Sequence, residues 1–236
     1  TSTNLSALKD GDSGIRLHDD PISATPFYAS LLPAEFKSGN PQLTPFENII
    51  FASVRDALKN QPVDLLDSRT GFILSTTKGN IGLIENDPGA APFERIGLTT
   101  SAEKITGVLG MQNEPIVVSH ACISGLLAMI TGMRLMQSGV YDQVIVTGGD
   151  LITAFILSGF QSFQAISPLP CKPFDADRDG ISLGEAAATV ILSTVNNGDA
   201  IQLSGGSVSN DANHISGPSR TGEELSMAIR NALRQA

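Results

Sequence analysis

The chain has 236 residues, 41% of them hydrophobic and 17% charged, with a net charge of −9. That balance fits a folded globular protein with a real core and argues against a disordered chain or a basic nucleic-acid surface. No apolar run reaches the roughly 18 residues that span a bilayer, and Thr1-Ser2-Thr3-Asn4 lacks a secretion-signal pattern, so a soluble cytoplasmic protein without nucleic-acid or membrane partners is expected.

From Thr1 to Pro45, glycines and prolines from Gly11 and Gly14 to Pro41 and Pro45 interrupt every candidate element. Only Ser6-Ala7-Leu8-Lys9 reads as the end of a helix, stopping at Asp10-Gly11. Phe46 to Leu58 predicts a helix with one apolar face through Ile49, Ile50, Val54 and Ala57, ended by Asn60 to Pro62. Gly71-Phe72-Ile73-Leu74 predicts a short buried strand running into the turn Thr76-Thr77-Lys78-Gly79-Asn80-Ile81-Gly82. That turn lacks the Gly-Lys-Ser/Thr order of a phosphate cradle. Ser101 to Leu109 predicts a helix capped by its serine.

The most informative stretch is Pro115 to Gly149. The β-branched run Pro115-Ile116-Val117-Val118 predicts a strand, and Cys122-Ile123-Ser124-Gly125 opens a helix that ends near Met136. Leu126, Ile130 and Met133 recur at helical spacing, and Leu127, Met129 and Leu135 widen the apolar face until burial all round is expected. Val144-Ile145-Val146-Thr147 predicts the next strand, and Gly148-Gly149 the turn after it. Cys122 thus stands where a helix begins. The unpaired N–H groups and positive macrodipole end of a first turn, roughly half an elementary charge, favour a thiolate and could bind an oxyanion. The plainer alternative is a small buried hydrophobe. Two cysteines, Cys122 and Cys171, are too few for a disulfide framework, and both are read as reduced.

Beyond this unit, Phe155, Phe160 and Phe163 read as core aromatics or, more sharply, as the wall of a substrate tunnel. Asp175, Asp177, Asp179 and Gly180 match the first half of an EF-hand loop, but its twelfth place holds Ala186, with Glu185 one position early, so no metal site is expected. Ala186-Ala187-Ala188 leads into the strand Val190-Ile191-Leu192, followed by a turn at Asn196-Asn197-Gly198. Ile201 to Val208 predicts a further strand and Glu223 to Leu233 an amphipathic helix.

Taken together, Ala121-Cys122-Ile123-Ser124-Gly125, Gly148-Gly149, Gly159-Phe160, Ile166-Ser167-Pro168, Cys171-Lys172-Pro173-Phe174-Asp175 and Arg178-Asp179-Gly180 through Gly184-Glu185-Ala186 resemble, in order and spacing, the β-ketoacyl synthases. The resemblance implies an α/β thiolase-like fold in α-β-α layers. It implies a single domain over 1–236, with a first half at 1–195, a loop-rich cap at 12–45 and the start of a second half at 196–236. By resemblance, Cys122 is the nucleophile that takes an acyl chain from a carrier-protein thioester, and its own N–H is one oxyanion donor. Phe160 matches an acyl-pocket position, and Asp179 and Glu185 match acidic positions that brace the floor of the site. A structural turn is an equal reading for both acids. Cys171 matches a non-catalytic place.

No cofactor is implied. The implied partners are acyl- and malonyl-loaded acyl carrier protein, approaching basic residues such as Arg134, Lys172 or Arg178. A second synthase subunit is also implied, as a homodimer or heterodimer formed through Val144 to Thr147. The catalytic histidine motifs of complete relatives are expected beyond the last helix of this chain. His18, His120 and His214 match none of them. His120, two residues before Cys122, is placed at the strand end, where alternation of side chains argues against a base. His214 is placed in a structural turn. Ala186, where relatives carry glycine, is expected to crowd a tight backbone by one methyl. The main alternative is a non-condensing partner subunit like a chain-length factor. A cysteine hydrolase ranks last, because its elbow needs glycines where His120 and Ser124 stand.

Overall fold

The strand predicted around Phe72 is buried at every position from Thr70 to Ser75, which requires apolar cover on both of its faces. The computed structural model, which describes residues 2–61, 63–86, 93–196, 198, 200–212 and 219–236, supplies that cover with helices. The elements in order are α1 (Ser2–Asp10), β1 (Arg16–His18), β2 (Phe27–Ser30), α2 (Pro45–Asn60), β3 (Thr70–Ser75), α3 (Gly82–Asn86) and α4 (Leu98–Leu109). They continue with β4 (Ile116–Val118), α5 (Ser124–Gln137), β5 (Gln143–Asp150), α6 (Ala154–Ser162), β6 (Leu183–Gly184), β7 (Ala186–Ser193) and α7 (Glu223–Gln235).

The main sheet has the order β4-β3-β5-β7. β3 runs parallel to β4 and β5, and β7 closes one edge antiparallel to β5. Side-chain alternation along the strands divides the core. Phe72, Leu74 and Ile145 pack on Phe46, Ile50 and Val54 of α2 and Ala102 and Ile105 of α4. Ile73, Val118, Val144 and Val146 pack on Ala128 of α5. The result is an α-β-α stack. Helix α2 begins sharply because Pro45 sits in its first turn and Thr44 and Glu47 form a reciprocal capping box. A small second sheet, β1-β2-β6, covers the flank.

Several expectations change. Gly148-Gly149 is not a turn: β5 continues through both glycines to Asp150, opposite Ala186 to Ala188 of β7. β5 is also an interior strand, with β3 and β7 on its two sides, so Val144 to Thr147 cannot offer a free edge to another subunit. Helix α5 is buried on one side only. Ala128, Ile130, Gly132 and Met133 face inward, whereas Leu126 is 51% exposed.

Helix α4 starts at Leu98 with Gly97 as its cap. Ser101 lies inside it, fully buried and bonded to Asn80. Ala186 is exposed at the start of β7. Phe155 and Phe163 are exposed, and Leu157 is the residue of α6 that enters the core. Among the described residues Ile201 to Val208 forms no strand, because it lies beside no partner with which to share a ladder. Pro62, Asn197 and His214, named above in turns, lie outside the described residues. Among the described residues no helix is long and apolar enough to cross a membrane.

Candidate active site

β3 and β4 lie side by side and parallel, but the helices that follow them cover opposite faces, α4 (reached by way of α3) after β3 and α5 after β4. Loops that part in this way open a crevice at the carboxyl ends of the strands. The amide of Thr76 spans its base, donating to the Val118 carbonyl at 3.4 Å. The segment that carries Cys122 crosses its mouth.

That segment is a tight turn with a strained corner. Ala121 adopts φ 44°, a left-handed conformation that a residue with a Cβ seldom takes. Buried Ser124 holds it there: its hydroxyl donates to the Ala121 carbonyl and accepts from the His120 amide, both at 2.7 Å. The amides of Ile123 and Ser124 close the turn on the carbonyls of His120 and Ala121. Cys122 is left exposed at the tip, two residues before α5. The first helical bond runs from the Leu127 amide to the Ile123 carbonyl at 2.9 Å. Among the described residues the amides of Gly125 and Leu126 have no acceptor, so the opening turn presents unpaired donors at the end of the helix that faces the cysteine.

Beside Cys122 lies a cavity of about 340 Å³, lined among others by Thr76, Gly125, Met129, Gly148, Asp150 and Val190. Of the four residues nominated from the sequence, Cys122 alone lines it. Phe160 is half-buried on α6. Glu185 is buried and accepts from the amides of Leu32 at 2.8 Å and Ile152 at 3.2 Å, with Lys37 at 2.6 Å, so it ties the cap to the sheet. Asp179 is exposed and accepts from the Ser167 hydroxyl at 2.7 Å. Another acid of that loop, Asp175, folds its own turn by accepting from the Asp177 amide at 2.8 Å. A larger groove of about 550 Å³ lies near the other end of α5, against Met133, Met136 and Leu192, and among the described residues it is lined by no cysteine, histidine or carboxylate.

Neither histidine among the described residues lines the cavity beside Cys122. His18 lies in the small sheet, 3.1 Å from the Ala29 carbonyl. His120 is exposed in the turn, and because β4 already ends at Val118, strand alternation says nothing about its direction.

Asp150 was invisible to sequence reasoning because its partners come from the turn after β3, far away along the chain. The Thr76 hydroxyl donates to its carboxylate at 2.7 Å. Burial pushes its carboxyl above the usual range, against the Thr76 hydroxyl, the amides of Lys78 and Thr77 and the charge of Lys78. A carboxyl raised on folding adds stability at low pH that is lost as pH rises through its folded value. Asp150→Asn is therefore expected to gain on the wild-type melting temperature at neutral pH and to lose that advantage in acid. A difference that does not change with pH would contradict this.

Comparison with known proteins follows the same outline. The family model described as "Beta-ketoacyl synthase, N-terminal domain" matches residues 25–197. The chain is 32% identical over 164 residues to 3-oxoacyl-[acyl-carrier-protein] synthase 2 of Rhizobium meliloti (strain 1021), covering 63% of this chain and 38% of that one. Among solved structures, a β-ketoacyl synthase from Burkholderia phymatum STM815 superposes with a TM-score of 0.82 at 20% identity, over 98% of this chain and 65% of that one. The ishigamide ketosynthase/chain length factor gives 0.82 at 25% identity, over 100% and 65%. The chain therefore spans well under half of that synthase and about two thirds of these structures. The layered architecture is the thiolase-like fold that ketosynthases share.

Proposed function

The chain belongs to the β-ketoacyl synthase family, and on that premise we propose that it carries the acyl-accepting half of a condensing enzyme. The Cys122 sulfur attacks the carbonyl of an acyl thioester on a carrier protein, the tetrahedral oxyanion is held by amides at the start of α5, and the carrier thiolate leaves. The observation that carries this reading is the placement of an exposed sulfur at a constrained turn, beside a cavity and before two unpaired amides. Phe160 stands outside the lining of the cavity beside Cys122, so we place its contact with the acyl chain beyond that cavity, and we assign Asp179 and Glu185 a bracing role.

Decarboxylation of a malonyl unit and formation of the carbon–carbon bond require proton donors beside the new enolate. Neither His18 nor His120 lines the cavity, so we assign those steps to the whole enzyme, not to the residues described here.

A carrier protein would meet Lys172 and Arg178, exposed on one loop, in preference to Arg134, which stands ten residues into α5, roughly 15 Å along it. A second subunit would pair on β4, a free edge of the main sheet. The second reading, a chain-length-factor-like partner subunit, draws on the similarity to a ketosynthase/chain length factor structure. Retention of Cys122 favours the first.

The two separate by intact mass after incubation with an acyl thioester or cerulenin. One adduct, absent in Cys122→Ala and present in Cys171→Ala, is expected. No adduct, or one that survives Cys122→Ala, sinks the acyl-acceptor reading.

A further inference from the structure

The cavity beside Cys122 has a polar side that acyl transfer leaves unused. Ser75, the last residue of β3, is only 6% exposed, lines the cavity, and among the described residues its hydroxyl has no hydrogen-bond partner. Its surroundings explain why it faces open space. A Cβ at Gly148 would stand 2.7 Å from the Ser75 carbonyl oxygen and 3.1 Å from its hydroxyl, and one at Gly125 3.8 Å from that hydroxyl, so two glycines clear the room between β5 and the first turn of α5.

Asp150 lies two residues beyond Gly148, the register partner of Ser75, and therefore on the same face of β5. That places the two α-carbons roughly 7–8 Å apart. A carboxylate offers about four acceptor positions. The Thr76 hydroxyl occupies one of them at 2.7 Å, which anchors the group and leaves capacity on it. Cys122 and Asp150 are the titratable side chains on the cavity wall, and Lys78 is the cation nearest Asp150 in effect.

We propose that Ser75 and Asp150 form a subsite for a hydroxyl group borne on the acyl chain. This rests on the acyl-acceptor reading of Cys122. One hydroxyl satisfies both residues, donating to the Asp150 carboxylate and accepting from Ser75. A plain alkyl chain leaves a nearly buried hydroxyl unpaired, and a chain ending in a carboxylate meets the charge of Asp150. The site thus selects short hydroxyacyl groups over their saturated counterparts.

The test compares the rate of mass gain at Cys122 with the N-acetylcysteamine thioesters of 3-hydroxybutanoate and butanoate. The hydroxyacyl group is expected to react at least roughly tenfold faster, the equivalent of one good hydrogen-bond pair. Ser75→Ala and Asp150→Asn are each expected to cut that ratio severalfold. Ser75→Ala removes an unpartnered hydroxyl and is expected to melt no lower than wild type, so a lost preference is not misfolding. Equal rates in the wild type, or a ratio indifferent to both substitutions, overturn the subsite while leaving acyl transfer standing. If neither thioester acylates Cys122, the acyl-transfer reading falls, and protection from iodoacetamide decides the subsite. Stronger protection of Cys122 by the hydroxyacyl thioester supports it, and equal protection overturns it.

Discussion

Replacing Arg95 by methionine is expected to lower stability by about 3–5 kcal/mol, because it strands a buried carboxylate. Glu47 is fully buried in α2, and Arg95 grips it with both guanidinium nitrogens at 2.6 Å. The Thr44 amide and Asn80 complete the shell at 2.9 Å each, and Asn80 in turn joins Thr44 and Ser101. The network joins the cap of α2, the turn after β3 and the start of α4, so its failure spreads through three elements. Removal of Arg69 from its pair with Asp142, which stands in solvent, should by contrast change little.

The pH dependence carries a sign. Burial pushes the Glu47 carboxyl up, but hydrogen bonds from Arg95, Thr44 and Asn80, with the Arg95 charge, outweigh it and hold the group below its usual range. The stabilisation is therefore complete above the unfolded value of about 4.3 and is lost as pH falls through the folded one. Urea midpoints of wild type and Arg95→Met should differ most at neutral pH and converge in acid. A gap that stays constant down to strongly acidic pH would refute the assignment.

Gly149→Ala is expected to cost roughly 3 kcal/mol, the upper end of the range for overpacking. Its new Cβ would press on the Ala186 carbonyl and stand 3.0 Å from both the Ala187 Cα and the Ile50 Cδ1. The β7 backbone at Ala186 and Ala187 cannot swing aside as the Ile50 side-chain tip can. Because Gly149 also lines the Cys122 cavity, the same substitution should slow acylation. Gly107→Ala, where nothing lies within 4 Å, provides the control. Similar melting temperatures for the two variants would show that β5 and β7 are not packed as described.

How much of this was legible beforehand follows from the range over which each signal acts. Helix α2, strand β3 and the strand-turn-helix around Cys122 declare themselves locally, through periodicity, β-branching and capping. β1 and β2, three and four residues long, carry too little pattern to stand out among prolines and glycines, and exist because β6 pairs beside them. Gly148-Gly149 looks like a turn until β3 and β7 are laid on its two sides, when absence of a side chain lets Gly148 lie close to Ser75 and Gly149 close to Ala186 and Ala187. Apolar content predicted a wholly buried α5, but only its contacts with β3, β5 and Gly206 decide which side is covered. Ser75 and Asp150 have no local signature. Their meaning lies in a register between β3 and β5 that sequence spacing does not display.

The most direct measurement is peptide mapping after brief exposure of the protein to a limiting acyl thioester, scoring Cys122 against Cys171. Amide donors at a helix start are worth roughly a hundredfold in rate, so the acyl group should lie almost wholly on Cys122. Equal occupancy of the two cysteines, or a preference for Cys171, would contradict the account.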